Sequence, residues 1–492
     1  MVQLRPVAKG VKTPLEKDGC MRNLTLLTDL YEYSMANGFQ SELPPTRATF
    51  DVFFRQVPDH GSFVVAAGLQ QVVQALDNFH FDQEDLDYLR GLHLYSEAFL
   101  QSLSTIKLDC TVQAVPEGMP VFPREPLLTI TGPIDQVQML ETLVLNILNH
   151  QSLIATKSRR INFAAGGRPV MEFGARRAQG PDSAVYGTRA AVIGGCGSTS
   201  NVLAAQEFGI PVAGTMAHSW VESFASELDA FRAWARVYPD NSALLVDTYD
   251  VLGSGVPNAI TVFRELAAAG HQPVGIRIDS GDITALAKAA RAMLDDAGFP
   301  DAKITASNAL NEQIITALLQ EGAPLDNFGV GEELITSSSS PVLSGVYKLA
   351  AIEQNGHVTP KIKLSASKAK VTLPGRKQVY RLYRPDTGAA FADVIALADE
   401  TVGGHPLTVV NSDPLSTHKQ VTLTDYVARP LLRPVMSDDG HVNVFDVQRR
   451  SRGWLGELPQ PVLRLVNPDT YHVYLAPQLA ALQTSMLQEL RG

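Results

Sequence analysis

From about residue 165 to 350 the chain repeats one pattern: a short apolar run, a polar or glycine-containing turn, then in most cases a stretch with helical spacing. The runs are RPVMEFGARR, IPVAGTMAHS, ALLVDTYD, PVGIRIDSGD, AKITASNAL and DNFGVGEEL. Strands alternating with helices of roughly 10 to 15 residues predict βα units and a parallel sheet. Helices are expected in ITVFRELAAAG (260–270) and ITALAKAARAMLDDAG (283–298), each ending at a glycine suited to a helix C-cap. Polar residues follow the apolar runs: Glu172 and Arg176, His218, Asp247 and Asp250, Arg277 and Asp279, Ser307 and Asn308, then Gly329 and Gly331. Polar groups at one end of consecutive parallel strands converge on one place in a barrel. A doubly wound sheet is the alternative, but it offers fewer converging ends.

The flanks read differently. Residues 25–150 mix helical stretches such as LTDLYEYSMANGF with strand-like pieces such as ATFDVFFRQV, and residues 360–470 are rich in strands and turns, with PGRKQVYRLYRPDTG patterned as a hairpin. The expected fold is therefore α/β: an irregular TIM-like (β/α) barrel with a flanking α+β domain built from N-terminal and C-terminal segments. Its expected parts are an extension at 1–22, an α/β domain at 23–150, the barrel at 151–350, and a strand-rich region at 351–492 packed on the N-terminal domain.

Composition narrows the class. A chain of 492 residues, 45% of them hydrophobic, can bury two or three cores. It holds no run of 18 apolar residues for a membrane span, and its first 22 residues are too polar for a secretory signal. Three scattered cysteines argue for a reducing compartment and against a structural metal, so a soluble, cytoplasmic protein is expected. A net charge of −10 argues against a general nucleic-acid binder. Between Gln151 and Ser200, however, seven basic residues face two acidic ones. A basic, glycine-rich segment in an acidic chain suits a small polyanion. Within it, Lys157 to Arg160 reads best as a solvated helix face and EFGARRA as the binding element.

The segments TDLYEYSMANG, FDVFFRQVPDHGSFVVAAGL, EFGARRAQGPDSA, GTMAHSW, LLVDTYDVLGSGVPNA, IRIDSGDI, ASNALNE and FGVGEELITSSSSPVLSGVYKL occur in that order. Together they resemble the longer type of nicotinate phosphoribosyltransferase, over about residues 24–385 and more weakly beyond. The resemblance implies a homodimer with shared active sites. It also implies the reaction of nicotinate, phosphoribosyl pyrophosphate and ATP to give nicotinate mononucleotide, pyrophosphate, ADP and phosphate, with Mg2+.

That chemistry builds positive charge at the ribose anomeric carbon and releases a polyanion, so it needs cations and backbone N–H groups for phosphates and carboxylates near the ribose or its magnesium. Arg176, Arg277 and Lys348 suit the first task. Asp247 and Asp279 suit the second, holding Mg2+ mainly through substrate or water. Gly329 and Gly331 would let backbone donors approach a 5′-phosphate, and Ser280, Gly281 and Asn308 join them as substrate-binding residues. By resemblance, Phe173 and the partner subunit's Tyr31 sandwich the pyridine ring. Without the family both read equally well as core. The GCGSTS turn carries Ser198, Thr199 and Ser200 and no acid, which favours nicotinate over its amide.

By the same resemblance His218 is phosphorylated by ATP. Ser219 could start the next helix, and Glu222, four residues on, reads better as a solvated surface glutamate than as a residue that orients the ring. The competing reading is a hydrogen-bonded structural histidine. Glu332, the serine tract at 337–340 and Ser344 depart from the family pattern and bear on phosphate affinity and ATP coupling. Alternatives are nicotinamide phosphoribosyltransferase, the more distant quinolinate phosphoribosyltransferase, and an inactive ligand-binding relative acting as a sensor.

Overall fold

The structure is a computed structural model that describes residues 23–365, 370–404, 406–413 and 420–490. The expected extension at 1–22 lies outside the described residues. The described residues divide into two compact units, one running Lys157–Pro341 and the other combining those from residue 23 up to Thr156 with those from Val342 onward. The first boundary falls inside a single long helix, Glu141–Ala164.

The Lys157–Pro341 unit is built on six strands: β1 (Val170–Glu172), β2 (Ser198–Thr199), β3 (Ala243–Leu245), β4 (Gly275–Ile278), β5 (Lys303–Ala306) and β6 (Asn327–Val330). All pair in parallel, in the order β2-β1-β6-β5-β4-β3. Leu244, Leu245, Ile276, Ile278, Ile304, Ala306, Phe328 and Val330 are all buried, as expected of a parallel sheet covered on both faces. Helices at Val256–Ala268 and Ile283–Asp296 return the chain between strands. Gly270 and Gly298, at φ +86° and +87°, adopt the left-handed conformation that ends each one.

This order puts the first strand beside the last, as a closed barrel would. The ring expected from the sequence nevertheless stays open, because no ladder joins β2 to β3 among the described residues. IPVAG, expected to be a strand, makes a single parallel bridge from Val212 to Thr199. Thr199 donates its N–H to the Pro211 carbonyl at 3.1 Å and accepts the Ala213 N–H at 2.8 Å. On the other side, the Thr215 hydroxyl donates to the Ala243 carbonyl at the start of β3. Pro211 has no N–H to give, so a continuous ladder through this segment is interrupted. The result is a curled parallel half-barrel.

In the second unit, strands from distant parts of the chain share sheets. Arg47–Phe53 lies between Val346–Gln354 and Leu128–Pro133, antiparallel to both. A second six-stranded sheet contains the expected hairpin, with Lys377–Tyr383 antiparallel to Ala390–Leu397. Arg381 and Asp393 form a wholly buried ion pair across that hairpin at 2.8 Å, and the Tyr471 hydroxyl donates to Asp393 at 3.0 Å. Among the described residues no helix is long and apolar enough to cross a membrane.

Candidate active site

The C-terminal ends of β3, β4 and β5 bring together five polar side chains. Arg277, inside β4, donates to the Ser307 hydroxyl and to Asp279 Oδ1, each at 2.7 Å. Ser307, just past β5, hydrogen-bonds the same carboxylate oxygen. Asp247, two residues past β3, accepts on Oδ2 the Asp279 N–H at 3.0 Å and the Ser280 hydroxyl at 2.6 Å. The two aspartates are thus fixed relative to each other by the backbone of DSGD. Asp247 Oδ1 is buried and has no hydrogen-bond partner.

His218 joins this group from the open side of the sheet. Its Nδ1 lies 3.1 Å from the Thr248 hydroxyl, and its Nε2 lies 4.0 Å from Asp279 Oδ2. With Nδ1 protonated and donating to Thr248, Nε2 keeps its lone pair. The local helix differs from expectation: it runs only His218–Glu222 with Ala217 as its N-cap, so His218 is its first residue and Ser219 its second. Glu222 is exposed, as a solvated surface residue would be, and the ring's partner is Thr248.

At the ends of β1 and β6, sterics dominate. Phe173 lies over the β6 backbone so closely that a β-carbon on Gly329 would come within 2.6 Å of its ring. The Arg277 guanidinium carbon lies 5.7 Å from the centre of the same ring. Gly331 precedes a four-residue helix, Glu332–Ile335, and a β-carbon on Gly174 would approach its carbonyl to 2.8 Å. Arg176 lies exposed on the turn after Phe173. Glu332, beside the proposed phosphate loop, pairs with Arg177 at 3.2 Å. Ser280 and Asn308 are exposed, and both Gly281 (φ +83°) and Asn308 (φ +108°) hold the left-handed backbone region.

Thr199 is buried, and its hydroxyl donates to Glu172 at 2.6 Å. An acid therefore stands directly behind a turn that has none in its own sequence. The sequence signal for Glu172 was a carboxylate ending an apolar run, and for Thr248 a hydroxyl beside Asp247; neither pattern alone assigns a role. The expected solvated face at Lys157 to Arg160 is corrected. Lys157 and Arg160 are buried and hold Glu312 at 2.9 and 2.8 Å, and Lys157 also donates to Ser339 of the serine tract at 2.7 Å. Charges at that depth persist only when paired.

Tyr31 and Lys348 belong to the other unit. Tyr31 is exposed. Its phenol is raised by partial burial and by the neighbouring Glu141, which Lys348 approaches to 3.5 Å. Among the described residues no group of three or more His, Cys, Asp or Glu side chains is gathered to hold a metal ion.

Carboxylates, an arginine and a histidine at the C-terminal mouth of a curled parallel sheet define an α/β enzyme. Models of the nicotinate phosphoribosyltransferase (NAPRTase) N-terminal domain, family and C-terminal domain match residues 26–149, 169–372 and 376–483. The nicotinate phosphoribosyltransferase of Bacillus subtilis is 38% identical over 476 residues, covering 96% of each chain. Nicotinate phosphoribosyltransferase pncB2 of Mycobacterium tuberculosis is 44% identical over 384 residues, 78% of this chain and 81% of its own. The crystal structure of human nicotinic acid phosphoribosyltransferase superposes with a TM-score of 0.79 at 31% identity, covering 94% of this chain and 100% of that one. The chain belongs to the nicotinate phosphoribosyltransferase family.

Proposed function

We propose that the chain joins nicotinate to phosphoribosyl pyrophosphate in NAD salvage, giving nicotinate mononucleotide and pyrophosphate, with ATP hydrolysed through a phosphohistidine at His218. The observation that carries this is the fixed set of His218, Asp247, Arg277 and Asp279 at the strand ends of a chain whose full-length relatives are named for that activity.

In the transfer step the pyridine nitrogen bonds to the anomeric carbon as the bond to pyrophosphate breaks. Arg277 and Arg176 supply positive charge for the departing polyanion, and Asp279 faces the positive charge that builds on the ribose. Phe173, with its ring fixed against Gly329, stacks the base, and Tyr31 from a second subunit covers it in a homodimer. Ser280, Gly281, Asn308 and Gly331 line the ribose phosphate, Gly329 seats the Phe173 ring, and Thr199 stands in the wall behind the base.

Mg2+ fits this donor set: the unpartnered Asp247 Oδ1 is a hard acceptor, and with Asp279 it supplies two carboxylates, the remaining positions falling to water and substrate. When bound, the ion would neutralise pyrophosphate and favour its departure.

In the coupling step the His218 Nε2 lone pair takes the terminal phosphoryl group of ATP, a P–N bond replaces the P–O bond, and ADP leaves. Water later releases the phosphate. The same reading places the protein in the cytoplasm and takes the curled sheet as an incomplete barrel. Purified protein incubated with phosphoribosyl pyrophosphate, magnesium, ATP and each of nicotinate, nicotinamide and quinolinate, with products weighed by mass spectrometry, tests it. Nicotinate mononucleotide is the expected product, and its absence would sink the proposal.

A further inference from the structure

Glu172, the last residue of β1, is fully buried. The Gly174 N–H donates to its Oε1, while Oε2 lies 2.6 Å from the Thr199 hydroxyl and 2.9 Å from the Thr188 hydroxyl. These contacts tie the Phe173 turn, the GCGSTS turn and the helix Pro181–Gly194 to one carboxyl group. Proton counting then separates two states. The Thr188 oxygen also lies 2.8 Å from the Ala184 carbonyl, one helical turn back, and a hydroxyl has only one proton.

If Thr188 donates to Glu172, its contact with Ala184 sets two acceptors against each other with no proton between them. If Oε2 carries a proton, every contact closes. Thr199 donates to Oε2, Oε2–H donates to Thr188, and Thr188 donates to Ala184, the usual partner of a threonine within a helix. Thr199 cannot reverse its role without stranding its own proton, because Oε2 is the one acceptor that its hydroxyl meets among the described residues, its other bond being the Asn201 N–H that it accepts at 3.0 Å.

We propose that Glu172 is a specificity-determining positioning residue, held as a neutral carboxylic acid behind the base site, so that the wall formed by Phe173 and the 198–200 turn admits a base bearing a carboxylate. This rests on the nicotinate reading above. Burial raises the Glu172 carboxyl, against the pull of its three hydrogen bonds. Among the described residues no cation acts on it to hold the ionised form. Cys196 is a thiol pushed up to about 12 by burial, and Arg176 and Arg177, on the turn that follows, are exposed, with Arg177 paired to Glu332. A carboxylic acid kept neutral by its surroundings can donate where a carboxylate cannot. Thr199 is then the visible end of a neutral chain of hydroxyl and carboxyl groups.

Infrared difference spectra of the wild type against Glu172→Gln at neutral pH give the first test. The wild type is expected to show a protonated-carboxyl C=O band that the variant lacks; no such band overturns the proposal. Kinetics give the second. Glu172→Ala should raise the KM for nicotinate about tenfold or more and change the KM for phosphoribosyl pyrophosphate less. An alanine variant whose KM for nicotinate stays within about three-fold of the wild type would also overturn the proposal. If Glu172→Ala does not fold, the infrared band still decides. A wild type that makes no nicotinate nucleotide would defeat the functional reading alone, because the band reports the proton on Glu172 regardless of substrate.

Discussion

Replacing Gly329 by alanine separates two roles for the FGVGEEL segment. The new β-carbon would lie 2.6 Å from both Cδ2 and Cε2 of Phe173. Carbon atoms in contact prefer about 3.5–4.0 Å, so the ring has to retreat by roughly 1 Å. Inserting one carbon into a well-packed place costs about 1–3 kcal/mol. If about 1.4 kcal/mol of that falls on the seat of the base, affinity drops about tenfold. Steady-state assays varying nicotinate and phosphoribosyl pyrophosphate separately should therefore show the KM for nicotinate rising about tenfold, with the KM for the phosphoribosyl donor within about two-fold. Should the donor's KM rise while nicotinate's stays put, Gly329 serves the phosphate through its backbone and the argument from the Phe173 ring is refuted.

Three other perturbations follow from named contacts. His218→Ala should abolish ATP hydrolysis and the stimulation of synthesis by ATP while leaving a slower ATP-independent transfer, because no contact of His218 holds Arg277 or Asp247; full ATP stimulation in the variant would refute the phosphohistidine. Glu312→Gln leaves Lys157 and Arg160 buried without their carboxylate, so urea unfolding should show a loss of about 3–5 kcal/mol, and a loss under about 1 kcal/mol would contradict the buried trio. Burial, then the nearby Asp393, raises Glu125 well above its usual value, so the folded chain keeps a proton that the unfolded chain releases above about pH 4.5. Stability should therefore fall as pH rises from there, by up to about 1.4 kcal/mol per unit until the folded value is passed. Glu125→Gln should flatten that slope, and an unchanged slope would place the proton elsewhere.

The alternation of apolar runs and helical stretches made the parallel sheet legible, because strands covered on both faces must be apolar almost throughout. Five of the six runs became strands. The sixth, IPVAG, shows the limit: its composition suits a strand, but Pro211 cannot donate, and whether a neighbour pairs with it depends on curl that no local pattern encodes. Conversely, β2 hid inside GCGSTS because two residues carry no periodicity. At the site, residues adjoining strand ends were readable by position, and Asp247, Arg277, Asp279 and His218 do lie together. What escaped was the direction of side chains. Lys157 and Arg160 turn inward because Glu312, more than 150 residues away in sequence, meets them there. Thr199 turns toward Glu172, and a spacing pattern does not say which side of a turn a hydroxyl faces.

The unladdered segment between β2 and β3 also sets how motion would be distributed. From Pro211 to Thr215 the chain is tied to the sheet by two backbone bonds to Thr199 and one hydroxyl bond to Ala243, and Val212 is 64% exposed. Breaking so few bonds needs far less free energy than opening a six-stranded sheet, so this is a locally soft part of the Lys157–Pro341 unit. His218 begins three residues beyond it, while Asp247, Arg277 and Asp279 stand on the paired strands. A phosphate arriving on His218, next to the Asp279 carboxylate, would be accommodated by displacement of the soft segment, and the transfer residues would keep their registration. Amide exchange at Ala213 and Thr199, followed with and without ATP, would register that displacement directly.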